Sequence, residues 1–272
     1  MTDVRRKLLH LALALGAFLM VVPYAWQMST SLKTFAESAR IPPTVFPEDP
    51  FFGNFPEVFE VVPFASMMGV SVVMAVGRMA GQLVFCALAA FAFARMPFRG
   101  SNVLFVVFLS VMMVPEELYI IPQYEIMQSL GWLDSLPALI VPRMFNVFGI
   151  FLLRQFFLSL PAELGDAAKI DGAGPLRIFW SVYLPLAKPG LITLAIFSAL
   201  ASWKDLLWPL IVNSSPDKLP LTAGLANLAG EFYVEYPVLM AGSLLAMLPL
   251  ILTFLFLQRH FIQGIATTGG KS

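Results

Sequence analysis

Arg78, Arg143, Lys204 and Asp205 are ionisable side chains set within or beside long apolar stretches of the sequence. Ionisable groups in such surroundings face a bundle interior or a wet cavity, pair with one another, and mark solute or ion paths. Lys204 and Asp205 stand between Trp203 and Trp208. Aromatic faces stack on sugar rings while polar groups hydrogen-bond their hydroxyls, so this cluster has the chemistry of a sugar path. The same residues admit a structural reading, an ion pair with Arg78 or with a residue of a partner chain. A third reading gives Arg78 or Arg143 an anionic solute such as a glycerol phosphate. Spacing alone leaves the three open.

Covalent and metal chemistry find no comparable residues. The apolar stretches hold no Ser with His, no paired Asp and no His and Glu metal set, which argues against an intramembrane enzyme. His10 and His260 are far apart and lack neighbouring ligands at metal spacing. Cys86 is the one cysteine, so it has no partner for an internal disulfide or a cysteine metal site and reads as a small packing residue. The tail from Ile265 to Ser272 nearly fits the phosphate loop G-x4-G-K-S, but Ile265 takes the place of its first glycine and no phosphate-binding helix follows. No cofactor is expected on this chain, and nucleotide chemistry belongs to a separate polypeptide.

The elements that must position these residues are set by composition. An apolar fraction of 58% and a charged fraction of 12% stand against roughly 45–50% and about 25% in soluble domains. Most of the chain is therefore solvated by lipid. The 17 basic residues balance the 17 acidic ones, which leaves no basic excess for nucleic acid. A helix crosses the hydrocarbon layer with roughly 20 apolar residues. The six stretches 8–28, 64–94, 102–118, 136–158, 190–212 and 238–257 predict an all-α, polytopic membrane protein forming one domain over residues 1–272. The third is broken by Pro115 with Glu116 and Glu117, and predicts a kinked or re-entrant continuation. Gly77 and Gly81 form a G-x-x-x-G step suited to close helix packing. Arg5, Arg6 and Lys7 before the first stretch resemble the start of a secretory signal, but the apolar run continues with no small-residue cleavage site, as in a retained anchor.

Basic residues set the orientation. With the N-terminus inside, the inner connections hold Arg95, Arg99, Arg154, Lys169, Arg177 and Lys188, while the outer ones hold only Lys33, Arg40 and Lys218. Both termini are thus expected to be cytoplasmic. The outer loop 31–63 is rich in Pro and aromatic residues and is expected to be ordered along the outer membrane face.

The inner loop 159–188, about 30 residues, is longer than the usual helix connection and is therefore expected to be functional. Ser159, Pro161 and Glu163 are helix-start signals. A short helix over 161–170 is expected to stop at Gly172, and a second turn from Gly174 and Pro175 to end at Leu184 and Pro185. So short a helix is marginal in water and needs a surface to pack on. Ala162, Ala167 and Ala168 permit close approach, while Glu163, Asp166 and Asp171 offer carboxylates to a partner's Arg or Lys. The competing reading is an interfacial helix on lipid headgroups, against which its acidic face counts.

The run Asp166-Ala167-Ala168, three residues, Gly172, nine residues, Val182, one residue, Leu184-Pro185 resembles the EAA loop of ABC importer permeases, whose pattern is E-A-A, three, G, nine, I, one, L-P. Asp166 replaces the usual Glu, with a shorter reach, and Val182 the usual Ile. Further segments are similar to the MalG-like permeases of carbohydrate importers: Ser31-Leu32-Lys33, Phe98-Arg99-Gly100, the run from Phe151 to Phe157, Leu207-Trp208-Pro209-Leu210, and Gly224-Leu225-Ala226-Asn227-Leu228. The resemblance implies a type I importer permease in the bacterial inner membrane. It implies that the loop couples to a dimer of ATPase subunits, which carry ATP and Mg. The coupling residues would be Glu163, Asp166, Ala167, Ala168, Asp171, Gly172, Leu184 and Pro185. It further implies a second, related permease and an extracytoplasmic solute-binding protein contacting Ala226, Asn227, Leu228 and Gly230. A sugar is the substrate this favours. An ion-driven secondary transporter is the rival class, and apart from Asp205 the apolar stretches offer few of the intramembrane carboxylates it would use.

Overall fold

The computed structural model describes residues 3–96, 98–229 and 234–269, with side chains over 5–96, 98–229 and 234–255. It is helical almost throughout. Among the described residues the β structure is an isolated antiparallel bridge between Ala229 and Val234. Two compact units form, Met1–Ala65 with Gly224–Pro249 and Ser66–Ala223 with Leu250–Ser272.

Three helices are long and apolar enough to cross a membrane: Arg5–Ser31, Phe64–Arg95 and Tyr236–Leu255. Two bent pairs pass the same test together, Leu136–Arg143 with Val147–Ser159 at 42° and Pro175–Leu186 with Lys188–Lys204 at 79°. The expected stretches 102–118, 136–158 and 190–212 are therefore interrupted, and the reason is local. A proline cannot donate to the carbonyl four residues earlier, and its ring presses on that carbonyl. Val111, Ala138 and Asp205 stand four residues before Pro115, Pro142 and Pro209. There the helix Ser101–Val111 ends, Leu136–Ile140 gives way to the tight turn Val141–Arg143, and Lys188–Lys204 stops. After the first of these breaks the chain turns through Glu116–Leu118 and resumes as Ile120–Ser129.

The unit containing the N-terminal helix also holds the outer loop, which is ordered by its own hydrogen bonds. Lys33 is buried, donates from Nζ to Thr44 O at 2.5 Å and lies 5.0 Å from the Trp26 ring centroid. Buried Glu37 accepts from Thr44 Oγ1 and Glu48 N at 3.0 Å each. Asn54 opens the helix Asn54–Val61 and donates to Ser31 O and Lys33 O, both at 2.8 Å. In this unit Gly242 admits the Leu225 side chain, which a Cβ there would meet at 2.8 Å.

In the other unit an aromatic cluster packs Phe91, Phe157, Phe179 and Tyr183 together. A second core gathers Met74, Met127, Ala138, Leu139, Trp208 and Val212.

Candidate translocation path and coupling loop

The helix break at 138–146 would expose carbonyls to hydrocarbon, where each unsatisfied group is costly. Side chains of the long helix Phe64–Arg95 meet them in register. Arg78 Nε donates to Leu139 O at 2.7 Å and Gln82 Nε2 to Arg143 O at 2.8 Å, while Cys86 Sγ adds a contact at 3.3 Å to Asn146 O, which already accepts from Ile150 N at 3.1 Å. These residues follow one another at i, i+4 and i+8, so they share one helix face. Gly77 and Gly81 make the approach possible: a Cβ would stand 3.0 Å from Ile140 at the first and 2.5 Å from Met144 at the second. The G-x-x-x-G step thus packs within the chain. Ala138 O, the carbonyl orphaned by Pro142, accepts from Trp208 Nε1 at 2.9 Å. Asn146 then starts the next helix by accepting from Phe148 N and Gly149 N.

Charges sit at all three breaks. Arg78, 2% exposed, pairs from Nη1 with Asp205 Oδ2 at 2.7 Å. Arg143 pairs from Nη2 with Glu116 Oε1. The structure therefore brings Arg78 and Asp205 together, as the ion-pair reading expects, and adds Gln82, Glu116 and the Arg143–Glu116 contact, which sequence reasoning missed. The spacing of Arg78, Gln82 and Cys86 was the available signal. Lys204 is exposed and stands outside the Arg78–Asp205 pair, and Trp203 is half-buried. Trp208 is fully buried with its indole N–H spent on Ala138 O, so in this conformation its ring offers no face to a solute.

The inner loop folds as expected in outline and differs at its ends. Its helix is Glu163–Ile170, with Ala162 at the N-cap and no side-chain cap. Ser159, expected to cap, instead donates to Phe156 O at 2.8 Å, because the preceding helix Val147–Ser159 extends to include it. Gly172 ends the helix at φ +76°, with Gly172 N bonded to Lys169 O and Ala173 N to Ala168 O. That is a Schellman cap, whose left-handed residue favours glycine. The following segment is the helix Pro175–Ile178 and a π-helical turn Phe179–Tyr183. Leu184 and Pro185 do not end it: the helix Leu184–Leu186 carries on and the bend falls at Ala187, before Pro189. Proline is tolerated in a first turn, where its missing N–H is unneeded.

Glu163, Asp166, Ala167, Asp171, Gly172 and Pro185 are exposed, while Ala168 and Leu184 are half-buried. Asp166 bonds Lys169 at 2.8 Å on the surface. Ile170, 87% exposed, and Leu176, 67% exposed, add apolar knobs beside these carboxylates. On the expected outer segment, Ala226 ends the helix Leu221–Ala226 half-buried, Asn227 is exposed and Leu228 half-buried; Gly230 lies outside the described residues.

Near the expected outer face, Asp134 takes a positive φ of 55°. It accepts from Ser215 Oγ at 2.6 Å, Ser215 N at 2.9 Å, Lys218 Nζ at 2.9 Å and Ser214 N at 3.1 Å. The Ser215 hydroxyl, the backbone N–H groups and Lys218 hold its carboxyl far below the usual carboxylate range. Asp134 in turn raises Lys218.

Long apolar helices, charges paired at helix breaks and a structured, charged loop define a multi-pass membrane transport subunit. The family model of the binding-protein-dependent transport system inner membrane component matches residues 5–267, and the chain belongs to that family. Over 267 residues it is 34% identical to the arabinooligosaccharides transport system permease protein AraQ of Halalkalibacterium halodurans, covering 97% of this chain and 96% of the relative. Over 265 residues it is 32% identical to the sn-glycerol-3-phosphate transport system permease protein UgpE of Pectobacterium atrosepticum, covering 94% of each. Its fold matches a chain of a bacterial ABC transporter involved in the import of the acidic polysaccharide alginate, with TM-score 0.82 and 24% identity over 96% of this chain and 99% of that one.

Proposed function

We propose that this chain is the permease subunit that forms half of the path in an ATP-driven sugar importer of the bacterial inner membrane. A second related permease supplies the other half, and an ATPase dimer carrying ATP and Mg drives the cycle from the inner face. An extracytoplasmic solute-binding protein delivers substrate to the outer face, in contact with the segment from Ala226 to Gly230. The single observation that carries the reading is the inner loop. Its helix Glu163–Ile170 presents carboxylates and the apolar Ile170 outward, on the spacing of the importer pattern. A surface of that kind is suited to a protein cleft rather than to lipid headgroups.

The direction of the helices supports six crossings, and the basic residues of the connections support cytoplasmic termini. The bonds Arg78 to Leu139, Gln82 to Arg143 and Arg95 to Phe157 advance together along the chain, so Phe64–Arg95 and the broken fourth stretch run parallel. Two parallel crossings require a return between them, which the interrupted segment from Ser101 to Ser129 supplies.

The glycerol phosphate reading draws on the UgpE relatives. A neutral solute is favoured by charge: Asp205 and Glu116 already neutralise Arg78 and Arg143, which removes the net positive charge that would draw an anion. The test is reconstitution in proteoliposomes with the partner permease, ATPase and binding protein. Uptake of radiolabelled arabinotriose that requires ATP is expected. Uptake by this chain alone on a proton gradient would reject the reading in favour of a secondary transporter.

A further inference from the structure

Gly165 is the one buried residue of the helix Glu163–Ile170. A Cβ placed there would stand 2.7 Å from Tyr183 Oη, 3.1 Å from Cε2 and 3.3 Å from Cζ. Glycine in a helix interior is disfavoured relative to alanine, so its presence is explained by this approach and not by the helix. Tyr183 closes the π-helical turn Phe179–Tyr183 and is 2% exposed. Its ring packs on Phe91 at 5.6 Å and edge-on to Phe157 at 6.4 Å between centroids. Arg95 lies across the ring, its Cζ 4.8 Å from the centroid. The same guanidinium donates from Nε and Nη2 to Phe157 O at 3.2 and 2.5 Å, and from Nη2 to Leu160 O. One side chain therefore binds the inner end of Phe64–Arg95 to the end of Val147–Ser159 and stacks on the ring that seats the coupling helix. Beside these residues a cleft of about 400 Å³ is lined by Gly165, Ala94, Met96 and Pro175, and Ala168 packs on the same aromatic cluster one turn further along the helix.

We propose that Tyr183, clamped by Arg95, is the positioning residue through which displacement of the helix Glu163–Ile170 reaches the membrane helices, with Gly165 as its seat. This rests on the importer reading above. A packed aromatic column transmits displacement because close-packed interiors compress little, and an exposed helix without such a seat would swing free.

The test uses the full assembly with partner permease, ATPase and binding protein in proteoliposomes, reading ATP hydrolysis with and without the binding protein alongside arabinotriose uptake. Gly165→Ala wedges a methyl against Tyr183 Oη, and stimulated hydrolysis should fall by about tenfold, the low end for one methyl forced into a packed contact. Tyr183→Phe alone should stay within about twofold of wild type, since the ring and its stacking remain. The double variant Gly165→Ala with Tyr183→Phe removes the clashing oxygen and should recover most of the loss. Recovery traces the loss to the contact with Tyr183 Oη, and hydrolysis without the binding protein that stays at the wild-type level in Gly165→Ala separates lost coupling from misfolding. Wild-type behaviour of Gly165→Ala, or a double variant no better than the single, would overturn the inference. A wild-type assembly whose hydrolysis ignores the binding protein would overturn the importer reading itself, and the inference with it.

Discussion

Two bends in the same unit are built in opposite ways. At 138–146 the chain turns by 42°, and the carbonyls of Ala138, Leu139 and Arg143 take side-chain donors from neighbouring elements. At Ala187 it turns by 79°, and there the backbone bridges the bend: Ala187 N donates to Tyr183 O and Ala187 O accepts from Leu191 N, both at 3.0 Å, with Ala187 buried against the aromatic cluster. The first bend lies in the expected lipid layer and borrows its donors from other elements; the second, at the expected inner end, is held by its own backbone and by apolar packing. The lesson is that a broken helix can be held in two ways, by side chains reaching across from neighbouring elements or by its own main-chain bonds and apolar packing. The loop 159–188 leads from the first bend's helix Val147–Ser159 to the second bend past the aromatic cluster.

That contrast breaks most readily at Arg78. Arg78→Leu strands Asp205 without its partner in a buried setting, and breaking such a pair costs about 3–5 kcal/mol. Unfolding in detergent should shift by that amount, and Arg78→Leu with Asp205→Leu should recover part of it; a single variant as stable as wild type would dissolve the distinction between the bends. Gln82→Leu is the next step down. It leaves the Arg143 carbonyl unmet, a loss of about 1–3 kcal/mol, again read from the unfolding midpoint, with expression and insertion retained. Smaller still is Gly172→Ala, where a left-handed φ costs an L-residue about 1–2 kcal/mol. Nothing lies within 4 Å of the added Cβ, so the effect should be confined to the cap. ATP-driven uptake should fall while global stability and membrane insertion hold, the reverse of the Arg78 pattern.

The smallest effect concerns pH at Asp134. Its folded carboxyl lies below the usual range, so its contribution to stability is full above the unfolded carboxylate pKa and is lost as pH falls through the folded one. Lys218 is raised, so its contribution is full below the ordinary lysine pKa and fades only as pH climbs beyond it. The link between 134 and 214–218 therefore stands across the physiological range. Asp134→Asn should lower stability across the neutral range and flatten the acid limb, so that the two profiles converge as pH falls.

Much of this was legible in the residues, and the part that was not has a physical reason. Pro115, Pro142 and Pro209 announce the three breaks four residues ahead of themselves. Pro23 and Pro249 give the same local signal, yet helices run through both; what a proline does depends on which neighbours meet the freed carbonyl, and a linear sequence does not display neighbours. Trp208 illustrates the same gap. Its type suited a sugar-stacking face, but the carbonyl orphaned by Pro142, 66 positions earlier in the numbering of the chain, claims its indole N–H. The coupling loop was read from spacing because its glycine cap and short helix are local features. Gly165 and Tyr183 occupy positions that the spacing pattern leaves free, and only folding brings them together.

The central claim is that the loop 159–188 lies on the inner face and is gripped by a separate ATPase. Cys86 is buried and is the one native cysteine, so Ala167→Cys in the assembled transporter gives a clean probe. The account predicts that a membrane-impermeant maleimide added to intact cells leaves this cysteine unmodified, that the reagent reaches it in inside-out vesicles stripped of the ATPase, and that a short cross-linker joins it to the ATPase subunit in the intact assembly. Labelling from outside the cell, or free labelling with no cross-link in the intact assembly, would contradict it.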